Sequence, residues 1–194
     1  MFILSIDQQP PGEILLTCSK IRLNSYPLFM LKIGHPIIEL SSVESTNIYA
    51  MQMAHARLAS PGTVYFAWEQ TAGKGQRQKS WKSEPGQNLI LSAVTTPEVA
   101  FRENQFRLSC SAALACRDFF SKYAGDETTI KWPNDLYWRD RKAGGILIEN
   151  IIRGIHWEYA IIGIGININQ TFFDPSLPNP VSLKQITGKN FNIS

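Results

Sequence analysis

The sequence has no run approaching the roughly 18 consecutive apolar residues that a membrane-spanning helix needs. Its N-terminus, MFILSIDQQPPGEILL, starts apolar but soon carries Asp7, Pro10, Pro11 and Glu13. The basic start and small-residue cleavage site of a secretory signal are both missing, so a cytoplasmic location is expected. Cysteine is scarce: Cys18, Cys110 and Cys116 are the only three, and no Cys-x-x-Cys pair occurs. An odd, unpaired set argues against a disulfide framework and against a structural zinc site. His35, His55 and His156 have no ligand spacing. Charged residues make up only 18% of the chain and the net charge is +3, without the concentrated basic patch of a nucleic-acid binder. Internal repeats and low-complexity tracts are absent.

What is present is an ordinary globular composition. The 194 residues, 44% of them apolar, suffice for one domain with a sizeable core. Residues 1–34 stand apart as an N-terminal extension: three short apolar runs without a clear period, broken by Pro-Pro-Gly and by Asn24-Ser25-Tyr26-Pro27. They read either as an extra strand or arm, or as sequence upstream of a start at Met30. From residue 35 to 194 the pattern is regular. Pro36–Ser41 predicts a strand. Ser45, Thr46 and Asn47 are N-cap types ahead of a helix with Ile48, Met51, Ala54 and Leu58 at helical spacing. Thr63–Trp68 and Asn88–Val94 predict strands separated by a polar, Gly-rich segment. Glu103–Tyr123 predicts a helix with Phe106, Cys110, Ala113, Leu114 and Phe120 on its apolar side, which would bury Cys110 as a small hydrophobe. Strands follow at Thr128–Trp132, Leu136–Trp138, Ala143–Asn150 and His156–Ile166, with Arg139–Lys142 as a charged hairpin turn. Ser182 caps a final helix that the chain barely begins. The expected class is α+β, a mainly antiparallel or mixed sheet with helices packed on it.

Three segments carry candidate chemistry. The first is Gly73-Lys74-Gly75-Gln76-Arg77-Gln78-Lys79-Ser80-Trp81. Its two glycines allow close backbone approach to a ligand, and its cations can hold phosphate oxygens. It is not a Walker loop, and alone it reads equally as a solvated basic surface loop. The second, Lys131-Trp132-Pro133-Asn134-Asp135, places a carboxylate where it could hold Mg²⁺ beside a nucleotide, although Pro-Asn-Asp is also a good turn. Lys142 then stands before Gly144-Gly145 and an apolar strand, able to reach a ligand held against bare backbone or to sit in water at a hairpin tip. The third, Gly163-Ile164-Gly165-Ile166-Asn167, has glycines inside a strand and is not a dinucleotide-binding fingerprint, because it does not open a helix.

In this order and spacing, these segments together with Ser45-Thr46-Asn47 resemble the catalytic domain of biotin–protein ligases, of the type without a DNA-binding domain, over about residues 38–169. The resemblance implies the biotin/lipoate ligase fold, akin to class II aminoacyl-tRNA synthetases, over 35–194, with the family's C-terminal β-barrel absent. It implies that biotin and ATP form biotinyl-AMP with Mg²⁺, and that a lysine of a biotin carboxyl carrier protein then takes the biotin. DNA and membrane are not expected partners; a homodimer is possible. By position, Ser45, Thr46, Asn47, Gln70, Gly73, Trp81 and Gly145 would bind biotin. Lys74, Gln76, Arg77, Lys131, Asn134, Asp135 and Asn167 would bind the nucleotide, Asp135 also holding Mg²⁺. Lys142 and Lys74 would act on the reacting carboxylate and phosphate. The family loop usually has arginine where Lys74 and Gln76 stand and glycine where Gln78 stands, and it is expected to fold over its ligand. The nearest alternatives are a lipoate–protein ligase or octanoyltransferase and, of another class, a non-catalytic biotin-binding module.

Overall fold

The structure, a computed structural model, describes residues 4–5, 17–18, 33–97 and 105–193. The expectations for residues 1–34, a start at Met30 included, fall almost wholly outside these. Two short segments there, β1 (Leu4–Ser5) and β2 (Thr17–Cys18), pair antiparallel.

The remaining strands are β3 (Ile37–Leu40), β4 (Val64–Ala67), β5 (Asn88–Thr95), β6 (Thr128–Lys131), β7 (Asp135–Trp138), β8 (Arg141–Arg153) and β9 (His156–Asn167). They form one seven-stranded sheet in the order β3-β4-β5-β9-β8-β7-β6. Only β3 and β4 run parallel, joined through helix α1 (Thr46–His55); every other neighbouring pair is antiparallel. Helix α2 (Gln105–Ala124) precedes β6, and a short α3 (Leu183–Thr187) follows β9. This is the expected mixed sheet with packed helices. The last helix is complete rather than barely begun: Ser182 and Gln185 form a capping box, and Gly188 ends it at φ 73°.

Strand alternation sends consecutive side chains to opposite faces. Leu89, Leu91, Ala93, Ile162 and Ile166 join the larger core under α2, with Leu108, Ala112, Cys116, Phe119 and Phe120 of that helix. Tyr65, Val94, Ile151 and Ile161 point the other way and pack with Ala50 and Ala54 of α1. In β9, Ile162, Ile164 and Ile166 fill the α2 face while Ile161, Gly163 and Gly165 fall on the α1 face. That asymmetry leaves room above the glycines on the α1 face.

Two helical stripes differ from expectation. In α1 the buried residues are Thr46, Asn47, Ala50 and Ala54, whereas Leu58 lies past the helix end and is 72% exposed. In α2, Phe106 and Leu114 are 59% and 55% exposed, and the buried stripe runs Leu108, Ala112, Ala115, Cys116, Phe119. The reason is size. Small alanines and a cysteine let α2 lie close to the sheet, while Phe106 finds an outside partner in the ring of Trp132, 4.9 Å away.

The buried thiol is therefore Cys116, with Cys110 only half-buried. Burial pushes the Cys116 thiol up to about 12. At pH 8 roughly one thiol in 10⁴ is ionised. Iodoacetamide at that pH is expected to leave Cys116 unmodified in the folded protein and to alkylate it after denaturation, as read by peptide mass spectrometry. Rapid native alkylation of Cys116 would contradict this placement.

Candidate active site

The space above the glycines is a pocket of about 480 Å³, part of it open to solvent, on the α1 face. Two rows of strand partners make its floor. One row is Ser92–Gly163–Leu147; the next is Ile90–Gly165–Gly145, continued by Asp135. Bare backbone is required at both central positions. A Cβ on Gly163 would collide with the amide of Asn47, and one on Gly165 would lie 2.6 Å from Cε2 of Trp81.

The first row carries the N-terminus of α1. Ser45 is the N-cap residue, extended at φ −156°, and its hydroxyl makes no capping bond. Asn47 is a bracket: Nδ2 donates to Leu147 O (3.2 Å) and Glu149 Oε2 (2.8 Å), and Oδ1 accepts from the buried Ser92 hydroxyl (2.6 Å). Thr46 Oγ1 is 2.8 Å from Ser92 Oγ and 3.1 Å from Gln70 Oε1. The backbone N–H of Thr46 also donates to Gln70 Oε1 at 2.7 Å, which fixes that amide's orientation.

Counting protons settles the polarity of this end. Two hydroxyl protons, of Ser92 and Thr46, face three oxygen–oxygen contacts. Asn47 Oδ1 can only accept, so the Ser92 proton goes there. The Thr46 proton must then serve Ser92 or Gln70. Thr46 has lone pairs left for the cavity and no proton to offer it.

Trp81 covers the second row. Its indole lies over Gly165 and Gly145, and its buried Nε1 has no hydrogen-bond partner among the described residues. The preceding loop is closed by its own backbone: Trp81 N donates to Gly73 O (2.8 Å), Gly75 N to Lys79 O (2.7 Å) and Lys79 N to Gln76 O (3.1 Å). Arg77 takes the tip at φ 54°. The loop brings Lys74, Gly75 and Gln76 to the cavity wall.

A wider cleft of about 1220 Å³, part of it open to solvent, adjoins this cavity. Its cationic side is Arg77, Lys79 and Lys82; its apolar side is Phe173, Leu177, Pro178 and Pro180 from the segment after β9. Trp81, Asn134, Asp135 and Lys142 border both volumes. Lys142 is not in the hairpin turn, as expected from sequence, but inside β8, the turn being Arg139-Asp140. Its ammonium reaches Asp135 Oδ1 at 2.7 Å, both side chains remaining partly exposed. Asn134 Nδ2 lies 3.4 Å from the same oxygen.

Most of the residues expected at the site thus converge. Ser45, Thr46, Asn47, Gln70, Lys74, Gln76, Trp81, Asn134, Asp135, Lys142 and Gly145 line the cavity, and Arg77 and Asn167 line the cleft. Asn47 differs in kind, since both ends of its amide are taken by protein. Asn167 spends its amide on the carbonyl of Val181 (3.1 Å). Gly73 and Lys131 line neither volume, although Gly73 packs against Trp81 and Gln70 and Lys131 is the strand partner of Asp135. Lys131 sits on the edge strand with its ammonium 5.3 Å from the Tyr137 ring. Ser92 and the apolar side of the cleft were missed. A lone serine inside the apolar run Leu89–Val94 was the available signal for Ser92.

Among the described residues no three His, Cys, Asp or Glu side chains gather as a metal cage. One carboxylate at the junction, Asp135, suits a cation held mainly by phosphate oxygens and water.

The sequence profile of the biotin/lipoate A/B protein ligase family matches residues 39–167. The bifunctional ligase/repressor BirA of Bacillus spizizenii is 33% identical over 162 residues, 82% of this chain and 49% of that protein. A biotin–[acetyl-CoA-carboxylase] ligase of Paracoccus denitrificans is 32% identical over 159 residues, 77% of this chain and 63% of its own. Among solved structures, a biotin protein ligase from Aquifex aeolicus in complex with biotin and ATP superposes with a TM-score of 0.68 at 28% identity, covering 81% of this chain and 63% of the other. The chain spans about half the length of the BirA relative it matches.

Proposed function

The chain belongs to the biotin/lipoate A/B protein ligase family, and from that premise we propose that it joins biotin to AMP at the expense of ATP and passes the biotin to a lysine of a biotin carboxyl carrier domain. The observation that carries biotin over lipoate is the proton count at Thr46. Thr46 asks for an N–H donor, while the Ser45 hydroxyl and the Gln70 amide beside it can donate to a carbonyl. The ureido ring of biotin presents N–H groups; the dithiolane of lipoate presents none, and an unmet polar wall costs ~1–3 kcal/mol per group.

In this reading the ureido ring sits against Ser45, Thr46 and Gln70, and Trp81 covers the apolar middle of the ligand. The carboxylate then arrives at the junction beside Lys142, with the nucleotide in the cleft beyond. A carboxylate oxygen attacks the α-phosphorus, and the bond to the departing pyrophosphate breaks. Lys142 offsets the negative charge gathered between carboxylate and phosphate, and Lys74 adds a second cation from the loop. Arg77, Gln76 and Asn134 border the polyphosphate side. Asp135 would hold Mg²⁺, which supplies charge neutralisation on the leaving pyrophosphate. No enzyme nucleophile is needed; position and charge carry the step. The name of the Paracoccus relative supports a carrier domain of acetyl-CoA carboxylase as acceptor.

The test is incubation with ATP, Mg²⁺ and either biotin or lipoate while pyrophosphate is followed. Biotin-dependent release is expected. Release with lipoate alone would move the chain to the lipoate branch, and silence with both would leave a binding module. Gly165→Val checks the floor, since a side chain there would drive Trp81 off the cavity. Calorimetry is expected to show biotin binding at least about tenfold weaker, or ~1.4 kcal/mol. Unchanged affinity would contradict the placement of the ligand over Gly165.

A further inference from the structure

Lys142 lies past the end of the β8–β9 ladder, whose last matched pair is Gly144 with Ile166. On the β7 side the register slips at Leu136–Tyr137, leaving Ala143 unmatched just after Lys142. Lys142 itself is matched with Tyr137 of β7, and Asn167 Nδ2 lies 3.5 Å from its carbonyl, but its N–H and C=O are both taken by the strap after β9. Lys142 N donates to Asn179 O (2.9 Å), and Lys142 O accepts from Val181 N (2.9 Å). Asn179 also reaches the turn before the lysine, its Nδ2 lying 3.0 Å from Asp140 Oδ2 and 3.3 Å from Asp140 O. Arg141 adds a bond of 2.6 Å to Pro180 O. Asn179 does this from the left-handed region, at φ 48°, which asparagine enters more readily than most other non-glycine residues.

We propose that the strap, through Asn179, sets the position of Lys142 and makes Asn179 a positioning residue for the acid-activating step; this rests on the role given to Lys142 above. The strap also supplies the apolar side of the nucleotide cleft through Leu177, Pro178 and Pro180. A nucleotide seated there bears on the segment that holds the lysine. None of the residues at the Thr46 end touches the strap, so biotin binding is separate.

Steady-state pyrophosphate release by the full chain tests this. Asn179→Ala puts a β-carbon in the left-handed region and removes the grip on Asp140. Its kcat is expected to fall between about 10- and 100-fold with KM for biotin within about twofold. Asn179→Gly accepts the same φ and is expected to lose only about threefold. In a Lys142→Ala background neither change should lower kcat further, because both act through that lysine. A folded Asn179→Ala with wild-type kcat would overturn the inference. So would an equal loss in the Lys142→Ala background, or a raised KM with kcat intact. If Asn179→Ala does not fold, Asn179→Gly in the two backgrounds carries the same comparison. A wild-type chain that releases no pyrophosphate with biotin sinks the functional reading itself.

Discussion

Lys142→Ala is expected to lower biotin-dependent pyrophosphate release by about 10²–10³-fold, the usual cost of deleting one preorganised charge at a reacting centre. The geometry explains why the loss should fall on kcat. Lys142 stands where the smaller cavity meets the wider cleft, and Ser45, Thr46 and Gln70 line only the smaller one. Biotin should therefore bind more weakly but measurably. The ion pair with Asp135 complicates the reading, since the alanine variant also leaves that carboxylate without its 2.7 Å partner. Asp135→Asn is the control. It frees the ammonium without removing it and should depress the rate through the nucleotide, with ATP dependence altered and biotin affinity kept. Full activity in Lys142→Ala would remove the lysine from the mechanism.

The second large effect concerns stability. Asn47→Ala is expected to destabilise the fold by about 2–4 kcal/mol, lowering Tm by roughly 5–15 °C for a chain of this size. One amide bridges three elements: the start of α1, Ser92 on β5, and Leu147 with Glu149 on β8. Alanine leaves the half-buried Glu149 carboxylate without its 2.8 Å donor and frees the proton of the buried Ser92. That proton then turns to the Thr46 hydroxyl oxygen, whose own proton is left to Gln70. A thermal melt within about 2 °C of wild type would show that the bracket carries no weight.

The order of strands and helices was legible because alternation, turn residues and caps all agreed locally. Ser45, Thr46 and Gln70 come together at one end of the cavity, as the family resemblance implied, although Ser45 and Thr46 also read simply as helix-capping residues. Helix faces were less legible. Core contacts in α1 and α2 rest on Thr46, Asn47, Ala50, Ala112 and Cys116, small or polar residues that hydrophobic spacing passes over. The strap was hidden for another reason: Asn179 and Val181 meet Lys142 through backbone groups, which every residue carries. Lys131 was suggestive beside Pro-Asn-Asp, and strand pairing sets it on the edge strand opposite Asp135.

The central claim is that one cavity holds biotin with its carboxylate delivered to Lys142 and a nucleotide. The most direct measurement is mass spectrometry of small molecules retained by the protein after incubation with biotin, ATP and Mg²⁺ and rapid gel filtration. The account predicts a retained species with the mass of biotin joined to AMP, lost in Lys142→Ala. Retained biotin without any acyl-adenylate, while wild-type protein and ATP are both in excess, would contradict it.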